Sequence, residues 1–403
     1  MNIRSRRLRK CHNISDLRRL AQRQLPAPIF NYLDGGAEDE TTLRRNTAAF
    51  DDEMIIPRCL VDVTSVATKI NVLGQDLEWP VICSPAGSQR FYHADGELAA
   101  ARAAARAGTL YSLATMSSNT LEDVAAASTG PKMFQIFIFR DRDVTRDLIA
   151  RCKKSGFKAL CLTVDVSVRG KRERELRSGM GIPMDFSAAS LASFALRPRW
   201  LYGLARKGPF SMPTFAGHAG STHIVAQTRY FGTQLDASLT WKDVREFIDL
   251  WGGPFAIKGL LSAADARLAR DVGASAVMVS NHGGRQLDGA VAPFDALPDM
   301  VKAVGNEIEV ILDGGVRRGS HVLKALAHGA KACSVGRPYL FGLGAGGEAG
   351  AYQALQILKT ELIRSMQLSG CTDVGNIDPE ILRHQQGPRA PTFQELALSM
   401  PLD

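Results

Sequence analysis

Eight short apolar runs, most of them followed by a stretch of helical periodicity, organise the chain from residue 81 onward. Strands alternating with helices bury their apolar faces best as a parallel sheet covered by crossover helices. The candidate strands are Val81–Pro85, Thr109–Leu113, Lys132–Phe137, Ala159–Asp165, Pro254–Lys258, Ala276–Ser280, Glu309–Asp313 and Lys331–Val335. Between them lie helical segments such as Gly96–Ala107, Val144–Ser155, Ala263–Val272 and Ser320–His328. Eight such units predict an α/β fold of the closed (β/α)8 TIM barrel type.

In that architecture chemistry sits on the loops that follow the strands. Applied strand by strand, the rule nominates Pro85, Ala86 and Gly87, then Thr115, Gln135, Thr163 with Asp165, Lys258, Ser280 to Arg285, Asp313 to Arg317, and Gly336 with Arg337. The sixth of these loops, Ser280-Asn281-His282-Gly283-Gly284-Arg285-Gln286-Leu287-Asp288, is the richest. It sets an imidazole, which titrates near neutrality, three residues before a guanidinium, a fixed fork for a carboxylate. A base and an anion clamp on one loop suit a small anionic substrate that must lose a proton. The last two loops join flexible backbone (Gly314, Gly315, Gly336) to Arg317 and Arg337, where a barrel commonly holds phosphate.

Residues 1–80 lie before the barrel as an N-terminal cap segment, with a helix expected over Ile14–Gln24 and with Ile29 to Asp39 reaching the barrel mouth. Residues 371–403 form a C-terminal tail, and the barrel occupies 81–370. The fourth loop is unusually long, 166–238. Its stretch from Phe186 to Phe215 carries Leu191, Phe194, Leu196, Trp200, Leu201, Tyr202, Leu204 and Phe210 with Arg197, Arg199, Arg206 and Lys207 and no acidic residue. That composition reads either as an active-site lid or oligomer contact, or as an amphipathic segment in a membrane interface. A glycine cluster at 342–347 matches the dinucleotide fingerprint in spacing only, because no strand with an acidic ribose partner follows it; it reads as a loop leading to the last helix.

The formal charge of +8 alone cannot separate a nucleic-acid binder, an anionic surface and an enzyme for acidic substrates. Much of the excess falls in the first ten residues, which read as a solvated basic tail, so nucleic acid is not an expected partner. Seven cysteines without a C-x-x-C pair suggest neither a metal site nor a disulfide framework and fit a reducing cytoplasm. No apolar run has the length of a membrane-spanning helix, and the basic N-terminus lacks the apolar core of a signal peptide.

Taken together, Tyr32 in Tyr-x-x-Gly-Gly-Ala-Glu-Asp, Leu162-Thr163-Val164-Asp165, Ile257-Lys258-Gly259, Ser280 to Asp288, Leu312 to Gly319 and Gly336-Arg337-Pro338 resemble the FMN-dependent 2-hydroxy-acid oxidoreductases. This is the family of glycolate oxidase, bacterial L-lactate dehydrogenase and mandelate dehydrogenase, and the resemblance spans about residues 14–370. It implies that His282 takes the substrate's proton while Asp165 stabilises the imidazolium. Arg285 and Tyr32 bind the substrate carboxylate, with Arg172 as a further substrate-binding candidate. Lys258 stands near the flavin N1 and O2 atoms. Pro85, Ala86, Gly87, Thr115, Gln135, Thr163 and Ser280 surround the ring, while Asp313, Gly315, Arg317, Gly336 and Arg337 contact ribityl and phosphate. A carboxylate beside the histidine is expected to raise its pKa and hold its ring.

Three positions depart from the family's oxidases. Phe137 replaces a tyrosine, Met116 stands where tryptophan is common, and Gly87 where many oxidases have alanine. Gly87, with the long loop from Ile182-Pro183 to Trp200, resembles the membrane-associated mandelate and lactate dehydrogenases that pass electrons to quinone. The expected activity is FMN-dependent oxidation of an L-2-hydroxy acid to the 2-oxo acid, with quinone or another acceptor, in a tetramer that is cytoplasmic and touches the inner face of the membrane peripherally. The alternatives are an FMN-dependent biosynthetic oxidase acting on an amine, an imine or a larger carboxylate, and a barrel that only binds.

Overall fold

The computed structural model describes residues 3–181 and 184–385. Ile182 and Pro183, and the C-terminal tail from residue 386, lie outside the described residues. The eight strands are β1 (Val81–Ala86), β2 (Tyr111–Ala114), β3 (Lys132–Ile136), β4 (Ala159–Thr163), β5 (Phe255–Leu260), β6 (Ala276–Ser280), β7 (Glu309–Asp313) and β8 (Ala332–Val335). Each pairs in parallel with the next, and β8 pairs with β1, closing the barrel. Crossover helices such as Gly96–Arg106, Arg142–Lys154, Ala263–Asp271 and Gly319–Ala327 cover its outer face.

Alternate residues of each strand point inward. At the lower end these are Ile82, Met133, Cys161, Ala256, Met278, Ile311 and Ala332, which form one apolar cluster with Val72, Leu73 and Leu77. The last three belong to a hairpin, Ile70–Val72 with Gln75–Leu77, that plugs this end. Polar inward positions are thereby confined to the opposite mouth.

Beyond that mouth the N-terminal segment forms helices Ile14–Gln24, Ala27–Asp34 and Thr41–Ala48. Asn13 caps the first through Asp16 N at 2.8 Å. The segment is stitched to the loop after β6: Ala37 N donates to Gly284 O at 2.8 Å, and Asp288 accepts from Thr41 N at 3.1 Å and Thr42 N at 2.7 Å. Asn46 and Asn281, both buried, exchange amide hydrogen bonds of 2.8 and 2.7 Å. Gly284 has φ +73°, and a Cβ there would lie 2.6 Å from Leu43 N, so only glycine lets the two segments meet.

The glycine cluster is not the expected loop. Arg337–Gly346 is helical and is followed directly by the helix Glu348–Ser369. A Cβ on Gly342 would lie 2.2 Å from Gly350 O, and one on Gly344 or Gly346 would meet Leu25 or Leu8. These glycines serve close helix packing, a tertiary gain that outweighs their low helix propensity.

The long fourth loop is also ordered into helices, including Glu173–Arg177, Ala188–Ala195, Pro198–Lys207 and Ile224–Gln234. Trp200 Nε1 donates to Phe91 O at 2.7 Å, Arg197 Nε to Leu25 O at 3.2 Å, and Ala27 N to Ser193 Oγ at 2.8 Å, so the loop lies against the cap. Among the described residues no helix is long and apolar enough to cross a membrane.

Replacing Asn281 by Ala should strand the buried Asn46 amide, at a cost of roughly 1–3 kcal/mol. Urea unfolding of the variant checks this; an unchanged midpoint would mean that the amide pair does not hold the cap to the barrel.

Candidate active site

A cavity of about 620 Å³ opens at the mouth of the barrel, beneath the cap and the long loop. Of the residues nominated from strand ends, Pro85, Ala86, Gly87, Gln135, Thr163, Lys258, His282, Arg285, Asp313, Gly315, Arg317, Gly336 and Arg337 line it, as do Tyr32 and Arg172. Thr115, Asp165 and Ser280 do not reach its surface. Thr115 is fully buried and bonds Gln135 O at 2.6 Å, whereas Asp165 and Ser280 stand behind cavity residues.

His282 has φ +59° and is followed by Gly283 and Gly284, also left-handed. A non-glycine residue pays for this conformation, which persists because its surroundings hold it. Ser280 Oγ accepts from His282 N at 3.1 Å, and the ring swings toward Asp165, whose Oδ1 lies 3.0 Å from Nδ1. The partner oxygen Oδ2 is buried without a hydrogen bond. Strand β5 bulges between Lys258 and Leu260, and a Cβ at Gly259 would lie 2.6 Å from Asp165 Cγ. That bulge makes room for the carboxylate.

The expectation that Asp165 raises the histidine's pKa needs correction. Burial pushes the His282 pKa down and outweighs the opposing pull of Asp165, so the net shift is downward. Burial raises Asp165, but His282 and Lys258 more than reverse it, and the carboxylate stays ionised. At neutral pH the pair is a neutral imidazole on a carboxylate, with Nδ1–H donating and Nε2 left to accept.

Lys258 Nζ lies 2.9 Å from Asp313 Oδ2 and 2.9 Å from Ser280 Oγ, and Ser84 Oγ donates to Asp313 Oδ1 at 2.7 Å. Burial disfavours the ammonium, but Asp313 and Asp165 raise its pKa overall. The result is a fixed, dry cation at the barrel centre.

Arg285 is oriented by Tyr32 O at 2.8 Å, Gly35 O at 3.0 Å and Glu175 Oε1 at 2.7 Å. Three of its five N–H donors are thus engaged, which leaves the remainder to an incoming carboxylate. Arg172 donates to Arg285 O at 3.1 Å, and burial beside that like charge pushes its pKa down to about 10. Glu175, 1% exposed, also draws Arg169 at 3.3 Å and Arg172 at 3.7 Å, allowing the guanidiniums to crowd together. Sequence reasoning passed over Glu175 because Arg172-Glu173-Arg174-Glu175-Leu176-Arg177 looks like a solvated charge run; its place three residues after Arg172, a residue already singled out for substrate, was the available signal.

At the far end, Arg337 donates to Leu33 O, Gly283 O and Gly35 O at 2.8 to 3.2 Å, and Arg317 to Val316 O at 2.8 Å. Burial pushes their pKa values down to about 9 and about 10. No carboxylate hydrogen-bonds either guanidinium among the described residues. Two partly buried cations hydrogen-bonded only to backbone, with Gly336 at a helix N-terminus, are a donor set that a phosphomonoester dianion complements. With Lys258 at the centre, this donor set fits FMN, whose phosphate Arg317 and Arg337 would hold, with Pro85, Ala86, Gly87, Gln135 and Thr163 left to face its ring.

Much of the remaining wall is apolar, with Met116, Phe137, Met180, Met184, Met212, Ile224, Phe231 and Leu235. Phe137 lies 5.2 Å from Phe231 in an edge contact, and Phe139 lies 5.8 Å from Phe231. Phe231 comes from the long loop, whose helix Ile224–Gln234 therefore roofs the cavity, whereas Leu191, Leu196, Leu201 and Tyr202 on its other helices are exposed.

Residues 21–384 match the family model described as FMN-dependent dehydrogenase. An L-lactate oxidase of Nostoc sp. is 42% identical over 374 residues, covering 92% of this chain and 97% of the relative. The (S)-mandelate dehydrogenase of Pseudomonas putida is 38% identical over 375 residues, covering 93% and 94%. The crystal structure of an (S)-mandelate dehydrogenase described as a monotopic membrane protein superposes with a TM-score of 0.90 at 36% identity, covering 93% of this chain and 100% of that one.

Arg317→Ala should lower the FMN retained through purification by removing one of the two cations that would face its phosphate. Flavin absorbance per polypeptide measures this; full occupancy in the variant would place the phosphate elsewhere.

Proposed function

This chain belongs to the FMN-dependent dehydrogenase family, and we propose that it oxidises an L-2-hydroxy acid bearing a bulky apolar side chain to the 2-oxo acid, passing electrons to quinone or a similar acceptor. The observation that carries the reading is a neutral His282, backed at 3.0 Å by Asp165, facing the same cavity as the Arg285 fork.

Arg285, Arg172 and Tyr32 hold the substrate carboxylate, which turns the hydroxyl-bearing carbon toward His282. Nε2 accepts one proton, and the imidazolium so formed is stabilised by the ionised Asp165. FMN, when bound, supplies the two-electron acceptor. Lys258 presents a fixed positive charge where the ring of that group would gain electron density.

The methionine and phenylalanine wall supports a bulky side chain, because thioethers fill and adapt around irregular apolar groups. Each CH2 it removes from water is worth about 0.8 kcal/mol. Glycine at position 87, the residue in which the chain resembles the membrane-associated dehydrogenases, supports a dehydrogenase; a Cβ there would lie 2.9 Å from Met116 O and 3.0 Å from Met116 Cβ, so the two loops approach as only glycine allows. The exposed apolar residues Leu191, Leu196, Leu201 and Tyr202, beside the exposed cations Arg199, Arg206 and Lys207, support peripheral docking on an anionic membrane, where a quinone would be met.

Turnover with L-lactate, L-mandelate and a longer aliphatic L-2-hydroxy acid tests the reading. The larger substrates should exceed lactate in kcat/KM by about tenfold or more, with a quinone analogue preferred to oxygen. Because protonated His282 cannot accept a proton, activity is present above its pKa and lost below it, so the acid limb should fall below the ordinary histidine value of 6.5. A preference for lactate, or an acid limb well above that value, would count against the apolar chamber or the base. Sedimentation with anionic vesicles should capture the protein, and Ser at Leu191, Leu196 and Leu201 should release it with the flavin spectrum intact; equal partitioning of both proteins would remove the membrane contact.

A further inference from the structure

Two phenols line the cavity, Tyr32 and Tyr92, and only the first is among the residues singled out from the sequence. Tyr92 ends the short turn that follows β1, where its N–H donates to Gln89 O at 2.9 Å. Its neighbour Phe91 meets the Tyr32 ring edge-on at 5.9 Å, and the Phe91 carbonyl is held by Trp200 Nε1 at 2.7 Å. The backbone that carries Tyr92 is therefore clamped from two sides.

Tyr92 is 4% exposed, yet its hydroxyl has no hydrogen-bond partner among the described residues. A buried phenol ordinarily finds one. Its side chain is instead part of the cavity wall. The groups whose charge acts on it are Tyr32, Arg285 and Glu175 of the carboxylate clamp, together with Arg337. Burial also holds its proton well above the ordinary phenol range, so the group stays a donor. On the opposite wall, Phe137 is packed among Phe139 and Phe231 and offers no hydroxyl.

We propose that Tyr92 is a substrate-binding residue that donates its hydroxyl to the substrate carboxylate, as a second phenol beside Tyr32 and Arg285. This rests on the hydroxy-acid reading above. A role in packing alone makes the opposite forecast, since removing an unpaired hydroxyl would then change nothing.

The test compares the wild-type holoenzyme with Tyr92→Phe, which keeps the ring. Three quantities are measured: flavin content, KM with kcat for the best 2-hydroxy acid, and the Kd of oxalate, a probe of the carboxylate clamp read by perturbation of the flavin spectrum. KM and the oxalate Kd should rise roughly 10- to 100-fold, the loss expected for a hydrogen bond to a charged group, with flavin content unchanged and kcat changed less than KM. Unchanged KM and Kd would overturn the assignment, as would loss of flavin with both constants preserved in the flavin-bound fraction, which would give the phenol to the cofactor. A wild-type enzyme whose flavin is reduced by no 2-hydroxy acid would overturn the substrate reading beneath the proposal, whereas normal wild-type turnover with an indistinguishable Tyr92→Phe overturns the Tyr92 assignment alone.

Discussion

The hydrogen bond between Asp165 and His282 joins the ends of β4 and β6, and most of the local architecture accommodates it. The left-handed backbone at His282, the serine hydroxyl that takes its N–H, and the bulge at Gly259 that leaves space for the carboxylate all serve one geometry. The electrostatics follow from the same contact. Burial alone would raise the Asp165 pKa, and the imidazole and Lys258 more than reverse that; burial alone would depress His282 further, and Asp165 limits the fall.

Around this pair the cavity is graded. At one end are Arg317 and Arg337, partly buried and bonded only to backbone carbonyls; at the centre, Lys258 is neutralised by Asp313; and at the clamp, Glu175 allows Arg285 and Arg172 to share a small volume. The far wall is built largely of methionine, aromatic and aliphatic side chains. An occupant with phosphate at one end and a second molecule with a carboxylate head and an apolar tail would complement this gradient, because buried cations demand anions while apolar walls reject them.

The barrel was legible because each strand's apolar run had to be buried on both faces, and β6 and β7 coincide with the runs read from sequence. Strand ends then led to His282, Lys258 and Arg317 by topology alone. What escaped was set by tertiary contact. Glu175 lies in a charge-rich run that looks solvated until Arg285 covers it, and Tyr92 is an ordinary aromatic until the cap closes above it. The helix Arg337–Gly346 reads as a loop because glycine propensity is local, whereas its packing against Gly350 and Leu25 is not. The sign of the His282 shift likewise depended on burial, which the presence of a neighbouring carboxylate does not report.

The most direct test of this account is anaerobic stopped-flow reduction of the bound flavin by a bulky L-2-hydroxy acid carrying hydrogen or deuterium at the hydroxyl-bearing carbon, in the wild type and in Asp165→Asn. The account predicts that deuterium slows bleaching severalfold, and that the variant binds flavin normally but bleaches slower by on the order of 10²- to 10⁴-fold, because its imidazolium has lost its counter-charge. Bleaching at the wild-type rate in the variant would contradict the proposed role of the Asp165–His282 pair.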